Sequence, residues 1–156
     1  MENALDHYDK AIIYALQEDS SISNLELSKA IGLSPSACLA RTKNLREQGV
    51  IQQFTMFVDE KKLGMETIAF AMVNLSPLTR ETANSFVEKI NHIPNVLECY
   101  TITGERDYLL KIVAQDMVVY RDFVIDTLMA IPGVNRVETS MVMQTEKRTL
   151  SIPLGH

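Results

Sequence analysis

The sequence predicts an α+β chain: an N-terminal three-helix helix-turn-helix domain of winged type, followed by a ferredoxin-like βαββαβ domain. Three observations carry this. Residues 24–49, NLELSKAIGLSPSACLARTKNLREQG, read as two short helices around a glycine turn. The chain after residue 65 repeats itself at an offset of 38 residues, Phe70 falling on Tyr108 and Ile93-Pro94-Asn95-Val96 on Ile131-Pro132-Gly133-Val134. Between the two parts, Asp59-Glu60-Lys61-Lys62-Leu63-Gly64 is a charged turn. The domains are accordingly expected at 1–58 and 66–156, with 59–65 as linker.

The first helix is expected over Leu5–Gln17, because Leu5, Tyr8, Ile12, Ile13 and Leu16 recur at three and four, with Asp6 and Asp9 at the end that favours acids. A polar loop, Glu18 to Ser21, precedes the next helix, capped by Ser23 or Asn24. Leu25, Leu27, Ala30 and Ile31 give that helix an apolar stripe, and Gly32 breaks it. Ser34 then caps the third helix and Pro35 sits at its first position, where no N–H is needed. Cys38, Thr42 and Leu45 mark its inner side. Val50–Val58, VIQQFTMFV, reads as a strand: a wing, or the start of a dimer contact.

Each repeat unit reads strand, helix, strand. The first has strands at Thr67–Leu75 and Val96–Thr103 around a helix at Thr79–Asn91, with Ala83, Phe86, Val87 and Ile90 inward. The second has strands at Asp107–Ala114 and Asn135–Met143 around a helix from its cap Asp116 to Ala130. Two split β-α-β units place both helices on one face of the sheet. The other face is then uncovered, and Leu97, Cys99, Leu110, Ile112 and Val137 with their alternate neighbours are too apolar for water on both faces. A second copy is the expected cover.

At 156 residues with 46% apolar content, the chain can bury a core, and no run is long enough to cross a membrane. The N-terminal MENALDHYDK lacks the apolar stretch of an export signal. Cys38 and Cys99 lie far apart and read as buried thiols in a reducing cytoplasm rather than as a disulfide. His7, His92 and His156 are scattered and no metal-ligand spacing, phosphate loop or GxSxG occurs, so neither metal, cofactor nor enzyme is expected.

The net charge is −5, but its distribution is uneven. Residues 1–28 hold six acids (Glu2, Asp6, Asp9, Glu18, Asp19 and Glu26) against Lys10, whereas residues 29–46 hold Lys29, Arg41, Lys43 and Arg46 and no acid. Phosphates sense the local patch within about a Debye length of ~8–10 Å, so an acidic chain with one basic helix can bind DNA. The candidate DNA-contacting residues are Ser34, Ser36, Ala37, Leu39, Ala40, Arg41, Lys43, Asn44 and Arg46: hydroxyls and a helix N-terminus suit phosphates, and arginine or lysine reaches guanine edges. Arg41, close to the buried side, reads either as structural or as a phosphate ligand.

LDHYDKAIIYALQED, ISNLELSKAIGLSPSACLARTKNLREQGVIQQF, TGERDYLLKIVAQD and IPGVNRVETSMVM stand in the order and spacing of the Lrp/AsnC (feast/famine) transcription regulators, which the chain resembles over nearly its whole length. The resemblance implies sequence-specific binding to double-stranded DNA, a homodimer built through the sheet that assembles to octamers or similar, and a small effector, an amino acid, held near the loop joining the second and third strands. On that basis Tyr100, Thr101, Thr103, Gly104, Arg106, Asp107, Tyr108, Thr139, Ser140 and Met141 are the candidate effector residues. Asp107 would meet an α-ammonium, and Arg106 or backbone N–H groups an α-carboxylate. Without the resemblance, Gly104 to Tyr108 reads as a β-turn. The competing reading is a small-molecule enzyme domain, with Asp107 and Tyr108 as acid–base groups and the helices as an accessory.

Overall fold

A computed structural model describes residues 5–154; Glu2 and His156 lie outside the described residues. The chain divides into two units: a helical unit that runs to Val58 and takes back the chain from Lys147, and a sheet unit, Asp59–Glu146.

The helical unit has α1 (His7–Glu18), α2 (Asn24–Ile31) and α3 (Pro35–Glu47). Their ends are set by side-chain caps. Asp6 and Ser23 each form a capping box, with Asp9 and Glu26 reaching back to the cap's N–H, so free helix-end donors are satisfied reciprocally. Ser34 caps α3 through the Ala37 N–H, with Pro35 in the first position. Gly32 ends α2 at φ 77°, a left-handed conformation that disfavours any side chain. The core is small: Ile12, Leu27, Cys38 and Leu45 are buried, flanked by Leu5, Ile13, Ala15, Leu16, Ile22, Ile31, Leu33 and Ile51. Two residues of the expected α2 stripe differ. Leu25 is 53% exposed and Ala30 is exposed, while Ser28 is buried, its hydroxyl donating to the Leu25 carbonyl. A buried serine that bonds back into its own helix takes a core position that apolar periodicity does not register.

The expected strand at 50–58 does not form among the described residues; the segment is irregular. A strand needs a ladder partner for its N–H and C=O groups, and the chain supplies none there. Ser20 Oγ donates to the Thr55 carbonyl at 3.2 Å.

The sheet unit follows as β1 (Thr67–Leu75), α4 (Arg80–Asn91), β2 (Val96–Thr101), β3 (Tyr108–Ala114), α5 (Met117–Asp122, continued as a π-helical stretch Phe123–Leu128) and β4 (Val134–Met141). Strand order is β2-β3-β1-β4, with antiparallel pairing throughout, the ferredoxin-like arrangement. Thr79 and Asp116 cap the helices. Gly133 makes the turn into β4 at φ 91°, where an added Cβ would lie 2.3 Å from Thr82 Cγ2; glycine is required on both counts.

One face of the sheet meets the helices. Ala69, Ala71, Val73 and Leu75 of β1 and Tyr108, Leu110, Ile112 and Ala114 of β3 are buried with Phe86, Ile90, Tyr120, Leu128 and Ile131. Leu110 and Ile112 are fully buried under the helices, and Cys99 and Val137 pack partly buried against the same core. Leu97 is exposed at an irregularity in the β2–β3 pairing. The opposite face instead carries Ile68, Phe70, Met72 and Leu109, all half-buried, beside the Lys111–Glu98 ion pair at 3.1 Å.

The last segment differs from expectation too. From Lys147 the chain leaves the sheet unit and lies against α1, where Tyr14 and Gln17 bond to the backbone of Leu154 and Ile152.

Candidate functional site

The outward side of α3 is built from its N-terminus. Ser34 Oγ accepts from the Ala37 N–H at 3.2 Å and lies 3.2 Å from Ser36 Oγ. Asn24 Nδ2 donates to the Pro35 carbonyl at 2.9 Å, fixing the start of α3 against the start of α2. No acid stands in the first turn of α3, so its partial positive charge and exposed hydroxyls are open to an anion. Further along, Leu39 (59% exposed), Ala40, Lys43, Asn44 and Arg46 are exposed, and Ala37 is half-buried. Leu39, Lys43 and Arg46 recur at i, i+4 and i+7, one face of the helix. Arg46 lies over the Phe54 ring at 5.6 Å, and Lys43 Nζ is 3.6 Å from Glu47.

Arg41 stands apart from that face. Its Nη1 donates to Asp6 Oδ2 and Asp9 Oδ1, each at 2.8 Å, and its guanidinium lies over the Tyr8 ring at 5.3 Å. The Asp9 N–H, and then Arg41, hold the Asp6 carboxyl below its usual range. Arg41 thus joins α3 to the capping box of α1, the contact that its structural reading calls for. Its partners, acids of the first helix, carried the signal: two carboxylates at i and i+3 lie on one side of α1.

The candidate effector loop joins β2 to β3. Gly104 turns it at φ 114°. The Asp107 N–H donates to the Val73 carbonyl, and an Asp107 carboxylate oxygen accepts the Leu75 N–H at 2.8 Å. Asn74 Nδ2 donates to the Glu105 carbonyl at 2.8 Å, leaving its own buried Oδ1 without a partner among the described residues. Arg106, its side chain 17% exposed, forks onto Glu138 through Nε at 2.9 Å and Nη2 at 2.6 Å. Arg136 shares the same carboxylate, and Arg106 holds the Glu138 carboxyl below its usual range. Both poles of the expected clamp therefore have partners inside the chain. Tyr108 is buried, its ring 4.7 Å from that of Phe86, and burial pushes its hydroxyl up. An acid–base pair made of Asp107 and Tyr108 finds no support in these contacts.

Tyr100, Thr101, Thr103 and Gly104 are exposed at the loop or beside it, and of the three β4 candidates Met141 is the furthest from it, Thr139 and Ser140 pairing with Ala71 and Phe70. β4 lies at the edge opposite β2, and Met141 pairs with Ala69 while the loop abuts Val73. Four residues of strand separate those rows, about 13 Å at 3.3 Å per residue. Thr139 instead shares a 2.7 Å hydrogen bond with the Tyr120 hydroxyl. The β4 residue that reaches the loop is Glu138, through Arg106, with Arg136 on the same carboxylate; sequence reasoning missed both. Their signal was alternation: Arg136 and Glu138 are charges at period two on the face that Met72 and Asn74 share. Two surface grooves, about 440 Å³ beside Glu88, His92 and Ile131 and about 370 Å³ beside Asn95, Asp122 and Asp126, do not include the loop.

Residues 68–152 match the Lrp/AsnC ligand binding domain and residues 5–52 a winged helix-turn-helix DNA-binding domain. The chain belongs to the Lrp/AsnC family of transcription regulators. It is 65% identical over 150 residues to the transcriptional regulator AzlB of Bacillus subtilis, covering 96% of each chain. It is 40% identical over 148 residues to the leucine-responsive regulatory protein of Klebsiella pneumoniae, covering 93% of this chain and 88% of that one. Among solved structures it resembles the transcriptional regulator NMB0573 of Neisseria meningitidis, a complex with L-Met, at a TM-score of 0.92 and 36% identity, over 97% of this chain and 98% of the other. As family membership requires, it pairs a helix-turn-helix DNA-binding domain with a ligand-binding domain. Among the described residues no helix is long and apolar enough to cross a membrane.

Proposed function

We propose that this chain is a cytoplasmic, sequence-specific DNA-binding regulator whose reading helix is α3, and whose affinity for DNA is set by an amino acid bound at the β2–β3 loop. The observation that carries the DNA reading is the exposed face of α3: Ser34 and Ser36 at an N-terminus free of acids, with Lys43 and Arg46 on the outward turns. Hydroxyls and the helix end hold phosphates, and Lys43, Asn44 and Arg46 reach the groove edge. Arg41 orients this face from behind. The helical unit, 1–58 with the chain from Lys147, and the sheet unit, 59–146, divide the work between reading and sensing.

One such face, with few basic groups, binds weakly alone. The half-buried patch of Ile68, Phe70, Met72 and Leu109 supports a homodimer formed through the open sheet face, and octamers or similar built from it. Two recognition helices then span half-sites one helical turn, about 34–36 Å, or a multiple apart. Light scattering on a sizing column gives a dimer or larger; a monomer at micromolar concentration overturns the assembly.

The L-Met complex of the Neisseria relative supports an amino-acid effector here. Thr101, Thr103 and Gly104 offer the exposed rim of the seat, with Arg106 and Asp107 behind them and a second dimer closing it. Any coupling to DNA is reciprocal. Binding to the chain's own upstream DNA is expected to fall steeply with salt; absence of binding at low salt removes the DNA reading. A thermal-shift screen of the twenty amino acids finds the effector, and a hit that stabilises without changing DNA affinity removes the coupling.

A further inference from the structure

Tyr14 and Gln17 lie three residues apart on α1, on one side of the helix. Both make paired hydrogen bonds to the main chain of the C-terminal segment. Tyr14 Oη donates to the Leu154 carbonyl at 2.6 Å and accepts the Leu154 N–H at 3.0 Å. Gln17 Nε2 donates to the Ile152 carbonyl at 3.2 Å, and its Oε1 accepts the Ile152 N–H at 2.6 Å. A glutamine amide that takes both main-chain groups of one residue imitates the bridge of a neighbouring strand. The residues taken are 152 and 154, the spacing of one side of an extended chain. Pro153 between them has no N–H to leave unpaired. The Ile152 side chain stays 66% exposed, so the strip reads backbone and not side chain. A second hold lies upstream, where Arg148 sits over the Phe57 ring at 4.6 Å.

We propose that Tyr14 and Gln17 form a docking strip for an extended peptide, and that its resident is the chain's own segment Ser151–Leu154. The DNA-binding unit is then discontinuous in sequence, and the polypeptide connects it to the sheet unit twice, at Val58–Asp59 and at Glu146–Lys147. All four hydrogen bonds are solvent-exposed and compete with water, so the docking depends on the strap belonging to the same chain, which holds it at an effective concentration in the ~mM range. The main-chain specificity means the strip accepts an extended segment of many sequences, provided two alternate residues carry N–H groups.

Amide hydrogen exchange on the full-length protein tests this. The Ile152 and Leu154 amides are expected to exchange at least about tenfold more slowly than in a free peptide of residues 147–156. Gln17→Ala releases Ile152 and Tyr14→Phe releases Leu154, while the amides of Ile12 and Leu45 keep their protection and show that the unit is folded. Exchange of both tail amides at the free-peptide rate in the unaltered protein overturns the docking, as does protection of both in the double variant. Oxidation of a Phe57→Cys/Arg148→Cys chain, which keeps Tyr14 and Gln17, is expected to give a cross-link within one monomer on a denaturing gel. A cross-linked dimer assigns the strap to a second copy and overturns own-chain docking.

Discussion

The two units are held together by different means. In the sheet unit, thirteen buried apolar residues form one cluster under two helices. In the helical unit, the cluster has four among the described residues, and order at the helix ends comes from polar groups: the capping boxes of Asp6 and Ser23, the Ser34 cap and the Arg41 bridge. A wide core tolerates loss at its rim, because dispersion and burial are shared among many neighbours. A four-residue core with polar fastenings answers to single substitutions and to pH. The unit that reads DNA is therefore the more easily disordered one, and the unit proposed to sense and assemble is the sturdier.

The largest test sets one core against the other. Phe86→Ala empties the middle of the sheet cluster and is expected to cost about 3–5 kcal/mol. Leu45→Ala removes a quarter of the buried helical cluster and costs about 2–5 kcal/mol. Their consequences separate. Leu45→Ala is expected to abolish DNA binding while light scattering still shows the assembled particle, and Phe86→Ala to dissociate the particle. Calorimetry that finds a single shared transition in both variants breaks the distinction between the units.

Acid is the next lever. Hydrogen bonds from Ser21, from Ser23 and, at Asp6, from the Asp9 N–H hold Asp19, Glu26 and Asp6 below their ordinary values of 3.8, 4.5 and 3.8. A carboxyl depressed in the folded state stabilises fully above its ordinary value, and that contribution is lost as pH falls through the folded-state value. Three such groups lie in the helical unit. In the sheet unit Glu138 behaves the same way through Arg106, against a larger apolar core. Acidification below about pH 4 is expected to lose the α1–α3 amide signals in NMR spectra before those of β1 and β3. Simultaneous loss counts against polar fastening as the weaker hold.

The same contrast explains what could be read in the sequence. The sheet unit was legible almost to the residue, since a repeat at 38 residues gives two copies of each pattern and caps mark its helices. β1 matches its expected span, and α4 starts one residue after its cap. Legibility failed where an element takes its partner from beyond local sequence. Residues 50–58 have strand composition but no ladder partner among the described residues. Ser28 is buried because it bonds within its own turn. Arg106 and Asp107 were recognised as a charged pair at a turn, but Glu138 and the Leu75 N–H, some 32 residues away in each case, occupy them.

That occupation gives a smaller test. Glu138→Gln replaces a forked carboxylate with a neutral amide, so Arg106 loses its strongest partner. If an effector carboxylate uses Arg106, it now competes with less, and its affinity is expected to rise several-fold in a thermal-shift titration. Unchanged affinity takes Arg106 out of the effector seat and leaves it as the brace of the β2–β3 loop.

The smallest effect is expected at Lys43. Its side chain is 74% exposed and its neighbour Glu47, one turn on, lies 3.6 Å away. Removing such a group changes stability by no more than about 0.5 kcal/mol, so any loss of DNA binding reports contact and not folding. A phosphate contact contributes about 0.9 to the slope of log affinity against log salt. Lys43→Ala is expected to weaken binding evenly across DNA sequences and to flatten that slope by about one. Arg41→Ala must behave differently. It removes the hold on Asp6 and Asp9 behind α3, so it lowers the melting temperature together with affinity, and Arg41→Lys, without the guanidinium fork, recovers little of either. If instead Arg41→Ala leaves melting unchanged and flattens the salt slope as Lys43→Ala does, Arg41 belongs to the outward face after all. The division of α3 into a side that grips α1 and a side that grips DNA would then fail.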